Sequence, residues 1–166
     1  MSFLIRKIES QKWKQTDIFN GADVSADAIT GSLRTTGNTL SLWEVYSEEE
    51  INEAILAIVS HFDKADTIDI VKIKPSDLEE KSLEYERTEG LTAYEPFKKR
   101  HFNIKNLSYE KLGSVADIIV TCLRDKAELR IRRKEIKDLI INSIEDGKIK
   151  KENLKQKLIE DLGLAG

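Results

Sequence analysis

Apolar positions recur along the chain with two different spacings, near two residues in its first part and near 3.6 residues afterwards. Residues 2–8 set Phe3, Leu4, Ile5 and Ile8 in a weakly alternating run that predicts a first strand. Residues 9–20 hold Trp13, Ile18 and Phe19 among polar neighbours and read as an irregular connection or a short strand. Ser25 then has the character of a helix N-cap, flanked by the apolar pair Val24 and Ile29, with Gly31 as the stop. Two β-favouring runs, 32–36 and 39–46, surround Gly37 and Asn38, a dipeptide suited to the positive φ angles of a two-residue hairpin loop. In the second run Leu40 and Leu42 face one way and Trp43 and Val45 the other, which predicts a strand inside the sheet.

Ser47 and Glu50 form the pattern of a capping box, with Tyr46 and Ile51 as its apolar staple. The helix that follows carries one stripe, Ile51, Ala54, Ile55, Ile58, Val59 and Phe62. Residues 67–74 are nearly continuous apolar and predict a central strand; if it pairs in parallel with the strand before the helix, a right-handed crossover joins them. Pro75 blocks its continuation, and Ser76 with Glu79 frames a short helix. From 83 to 106 the pattern is poor, with a strand only at 100–104, and a stretch of that length is often a binding loop or lid. Ser108 caps a further helix with the stripe Leu112, Val115, Ala116, Ile119 and Leu123. For 124–166 the spacing leaves two readings open, one long helix plus a short one or an extra helical hairpin. Its apolar positions are Leu129, Ile136, Leu139, Ile140 and Ile144, then Gly147, then Leu154, Leu158, Ile159 and Leu162.

The expected fold class is α+β: a small mixed or antiparallel sheet from the N-terminal half, packed by helices, with a C-terminal helical segment. One domain over 1–166 is expected, strand-rich in 1–75, loop-rich in 83–106 and helical in 108–166.

Composition sharpens this picture in two respects. Hydrophobic residues at 40% and charged residues at 34% give enough apolar material for a core and argue against disorder. The only cysteine, Cys122, lies in an apolar run, and no window is long and apolar enough for a membrane span, so a reducing, cytoplasmic setting without membrane contact is expected. The net charge of -3 conceals an asymmetry. Residues 1–123 carry 15 Lys+Arg against 21 Asp+Glu, and residues 124–166 carry 12 against 9.

The chemistry on offer is sparse. His61, His101 and Cys122 are too few for a structural zinc site, and Asp63, Asp66 and Asp69 at a helix-to-strand junction read more simply as solvated loop acids than as a Mg²⁺ site. Neither a nucleophile elbow nor a phosphate-binding loop occurs. No metal, cofactor or catalytic residue is therefore assigned, and the balance leans away from an enzyme without deciding it.

Three surfaces remain as candidates. The first is a set of polar hairpin residues, Arg34, Thr35, Thr36, Asn38, Thr39 and Ser41, joined by His101, that could hold a phosphate or carboxylate, with Arg34, Asn38 and His101 as its ligands. The second is a partner surface made of the acidic residues Glu48, Glu49 and Glu53 and the segment Tyr94, Phe97, Lys98, Lys99 and Arg100, its rings acting as anchors. The third is basic, with Arg130, Arg133, Lys134 and Lys137 on a helix and Lys98 to Arg100 in the loop, and suits nucleic acid. The leading expectation is a small cytoplasmic protein-binding or accessory module, an immunity-like protein or complex subunit of bacterial type, that docks a protein partner by charge complementarity. A nucleotide- or phosphate-ligand enzyme and a nucleic-acid-binding protein are the alternatives.

Overall fold

The computed structural model describes residues 2–14 and 21–166, so part of the expected 9–20 connection lies outside the described residues. Six strands, β1 (Phe3–Ile8), β2 (Leu40–Val45), β3 (Ile68–Ile73), β4 (Tyr85–Thr88), β5 (His101–Ile104) and β6 (Glu128–Ile131), form one sheet in the order β4-β5-β2-β1-β3-β6. Every neighbouring pair is antiparallel. The fold is α+β, as the pattern of spacings predicts. The first strand of the chain is innermost, flanked by β2 and β3.

Of the two sheet types left open by the sequence the antiparallel one is found: β2 and β3 do not pair, because β1 occupies the place between them. Both strands run opposite to β1 and so in the same direction, and helix α3 (Ile51–Val59) spans the intervening strand. A second crossover, through α5 (Tyr109–Arg124), links β5 to β6 across three strands.

The two crossing helices lie in the two different apolar layers, and this organises the core. One face of the sheet presents Ile5, Trp43, Val45, Ile68 and Ile70 and is covered by α3, α6 (Arg133–Glu145) and α7 (Gln156–Asp161) through Ile55, Ile140 and Leu158. The other presents Leu4, Leu40, Leu42, Val71 and Ile73 and is covered by α2 (Ala26–Ser32), α4 (Pro75–Glu80) and α5 through Ala28, Leu78 and Ile119. The division of Leu40 and Leu42 from Trp43 and Val45 is the one that their alternation predicts, and it places β2 inside the sheet. A four-residue helix, α1 (Ser10–Trp13), follows β1.

Four local expectations change. Helix α2 runs through Gly31 to Ser32, with Ser25 capping it by accepting the Ala28 N–H. The run 32–36 makes no strand: only a Thr36–Thr39 bridge closes the Gly37-Asn38 turn, whose φ angles are 59° and 58°. Instead the Ser32 hydroxyl accepts from the Glu9 N–H and the Trp13 indole, fixing this run to the end of β1 by side chains. At Ser47 the expected box does not form: the Ser47 hydroxyl makes no cap bond, and Glu50 accepts the N–H of Tyr46, one residue earlier, at 2.7 Å. Residues 128–131, expected in a helix, are edge strand β6, because Lys126 adopts φ 56° and turns the chain back along β3.

The 83–106 segment is not a loose loop. It holds β4, a 3₁₀ turn over Glu95–Arg100 and β5, and the Ser60 hydroxyl bonds both Thr92 Oγ1 (3.0 Å) and the Ala93 N–H (3.1 Å), tying it to the end of α3. Among the described residues no helix is long and apolar enough to cross a membrane.

Candidate functional site

Adjacent antiparallel strands normally pair along their shared length, so a ladder that stops early leaves backbone groups seeking other partners. The β1–β2 pairing stops at Ile5↔Trp43, although β1 continues to Ile8 and β2 begins at Leu40. Below that point the strands part. The Arg6 guanidinium enters the gap, one terminal nitrogen donating to the Ser41 carbonyl at 2.9 Å and the other to the Ser32 carbonyl at 2.5 Å.

Arg6 forms no ion pair among the described residues, and its Nε is buried without a hydrogen-bond partner. Burial lowers its pKa to about 10, which still leaves it charged at neutral pH. A cation partly withdrawn from water with only carbonyl dipoles for company is a costly arrangement.

The gap opens into a cleft of about 470 Å³. Its floor is the row Lys7, Ser41 and Asn103 on β1, β2 and β5, beside Trp43 and His101, with Ser41 opposite Asn103 and Trp43 opposite His101. One wall is the end of α3 with Ile58, His61 and Phe62, and another is the segment carrying Glu89 and Leu91. Thr36 and Thr39 close the lower end. Lys7, adjacent to Arg6 but on the opposite sheet face, holds its ammonium 5.1 Å from the centre of the Phe62 ring and has no acidic partner among the described residues. Glu89, the acid among the lining residues, lies 3.9 Å from Lys98.

Both histidines of the cleft sit below their ordinary pKa. Burial is the cause for His101, and for His61 burial is reinforced by the charge of Lys155. His101 packs edge-on against Trp43 with centroids 4.9 Å apart, and its Nδ1 lies 2.7 Å from Thr88 Oγ1, which in turn accepts from Asn103 Nδ2 at 3.3 Å. Thr88 Oγ1 and His101 Nδ1 thus share one hydrogen bond, and His101 Nε2 makes none among the described residues.

Of the hairpin constellation expected from sequence, the structure brings Thr36, Thr39, Ser41 and His101 to this cleft. Arg34 is exposed and outside it, and Asn38 serves the turn, its carbonyl accepting the Leu107 N–H at 3.1 Å. The cations that take Arg34's expected place are Arg6 and Lys7. Nothing in the alternation of β1 marks them except that they interrupt the apolar content of a strand that becomes the innermost one.

The fold brings the two halves of the expected partner surface together, with much of their chemistry turned inward or paired within the chain. Tyr94 and Phe97 are 5% and 2% exposed and stack at 5.8 Å inside the core, so neither ring is presented to a partner. Arg100 grips both oxygens of Glu50 at 3.2 Å and covers the Tyr46 ring at 4.2 Å. Glu53 accepts from the Tyr94 hydroxyl, Glu48 pairs with Lys72 at 2.8 Å, and Glu49 and Lys99 are exposed. Lys98 faces Glu89 and Glu95 at 3.9 and 4.0 Å.

The basic group is divided. Arg130 stands on β6 and faces Asp69 at 3.4 Å, Arg133 bonds Asp66 and Asp161 at 2.6 Å each, and Lys137 donates to the Asp161 carbonyl, so only Lys134 is left without a partner. Asp63 pairs with Lys155 at 2.9 Å; the three acids weighed as a Mg²⁺ site thus turn to three separate cations. Comparison with protein-family models, curated proteins and solved structures finds no match to this chain.

Proposed function

We propose that the chain binds a small organic anion in the cleft where β1 and β2 part. The observation that carries this is Arg6: a partly buried guanidinium that meets no carboxylate among the described residues, its Nε–H buried without an acceptor there, next in the chain to Lys7, a second cation without an acidic partner among those residues. Such an arrangement costs folding stability, and proteins keep costs of this kind where a ligand supplies the missing charge. The cleft's volume is in the range of small-molecule sites, and Trp43, Phe62 and Ile58 offer apolar surface beside the cations. Hydroxyls of Thr36 and Ser41 add neutral donors, while the Thr39 hydroxyl donates to the Thr36 carbonyl at 2.9 Å.

The test is a melting-temperature panel of nucleoside phosphates, sugar phosphates and short carboxylic acids. A true ligand at about a hundred times its Kd raises Tm by roughly 5–10 °C, and Lys7→Glu removes the rise. A panel without any rise that is lost in Lys7→Glu removes this reading. Charge-driven docking of a protein partner has weaker support, because the aromatic anchors it needs are spent in the core.

A further inference from the structure

We infer that the anion is doubly charged, a phosphomonoester whose phosphate is shared by Arg6 and Lys7. This deepens the proposed function and rests on it. The reasoning is charge balance within the cleft. Two permanent cations reach it from adjacent positions of β1, and among the described residues neither meets a carboxylate. Only an opened ladder lets neighbouring residues of one strand, which normally face opposite sides of a sheet, line a single cavity.

The remaining ionisable groups do not change that sum at neutral pH. From β5, His101 is neutral with its Nε2 unbonded among the described residues, and from the end of α3, His61 is neutral too, with Asp63 beyond it paired to Lys155. From the segment after β4, Glu89 faces Lys98. Apart from the Glu89 carboxylate, which Lys98 faces, and the Asn103 amide, the polar side chains lining the cavity are cations, imidazoles and hydroxyls, and a dianion with three terminal oxygens matches that set where a carboxylate leaves one cation unanswered.

The experiment compares phenyl phosphate with phenyl sulfate, nearly the same shape but one charge lower, by amide shift titration of the intact chain at several pH values. Phenyl phosphate is expected to perturb Lys7, Ser41 and Asn103, to bind at least tenfold more tightly than phenyl sulfate at pH 7.5, and to weaken up to tenfold per pH unit below its second ionisation near about 6. Phenyl sulfate stays flat over that interval until the histidines take up protons, which strengthens it. Lys7→Met, an exposed change on the strand, closes the gap between the two probes. Equal binding of both probes in the unmodified protein overturns the dianion inference while leaving the anion cleft standing. Failure of both to bind overturns it as well, and the melting-temperature panel then decides separately whether any anion uses the cleft.

Discussion

Gly90 lies against the face of Trp43 so closely that a β-carbon at residue 90 would stand 2.3 Å from the Trp43 Cη2 and 2.9 Å from the His101 Cβ. The wall of the cleft therefore depends on the absence of a side chain there. Gly90→Ala forces the indole or the segment to move and is expected to cost about 1–3 kcal/mol. Urea denaturation measures the loss, and a change in tryptophan fluorescence of the folded protein reports the displaced ring.

Leu158 on α7 is fully buried in the layer shared with α3 and α6. Leu158→Ala should cost about 2–5 kcal/mol and lower Tm by roughly 4–20 °C. Calorimetry decides it. A loss below about 1 kcal/mol would mean that α7 contributes little to the core.

Asp161 joins the end of α7 to the rest of the protein, accepting the Ala65 N–H at 3.0 Å and pairing with Arg133 at 2.6 Å. The backbone bond from Ala65 first, then Arg133 and Lys137, hold its carboxyl below the ordinary value of 3.8. A depressed carboxyl contributes stability above its unfolded pKa and loses it as pH falls through the folded one. Asp161→Asn is thus expected to be less stable than the parent at pH 7, with the gap narrowing below pH 3.8, as followed by denaturant midpoints across a pH series.

Cys122 is 5% exposed and directs its thiol to the Lys72 carbonyl at 3.4 Å, and burial pushes its pKa up to about 12. The thiolate is the reactive species. The folded protein should leave a thiol reagent unconsumed at pH 8, and the unfolded protein should consume one equivalent; rapid reaction of the folded form contradicts the packing described.

The elements legible in the sequence are those whose burial is periodic. The stripe of α3, the alternation of β2 and the apolar run of β3 each state their own type, and Gly37 with Asn38 states the turn. What the sequence hides are elements whose burial is slight. Strand β4, Tyr85–Thr88, is an edge with charged Glu86 and Arg87 at its centre, which reads as loop. Strand β6 fits a helical stripe through Leu129, and the break at Lys126 is a positive φ on a residue type that gives no warning. Half of the cleft was visible in the clustered hydroxyls and His101. Arg6 and Lys7 were not, because their significance comes from the parting of two strands, and pairing across a sheet is not written in local spacing.

Strand order carries a consequence for how the molecule comes into being. Of the six strands, the first in chain order lies at the middle of the finished sheet, the next two flank it, and the outer positions are filled last. Assembly can proceed outward as the nascent chain lengthens, without any strand having to be inserted between two already joined. Until β5 and β6 arrive, however, both rims of the growing sheet stand open to pairing with another chain. The charged outer strands thus act as closures, and a nascent chain that stalls before residue 128 leaves one rim unsealed.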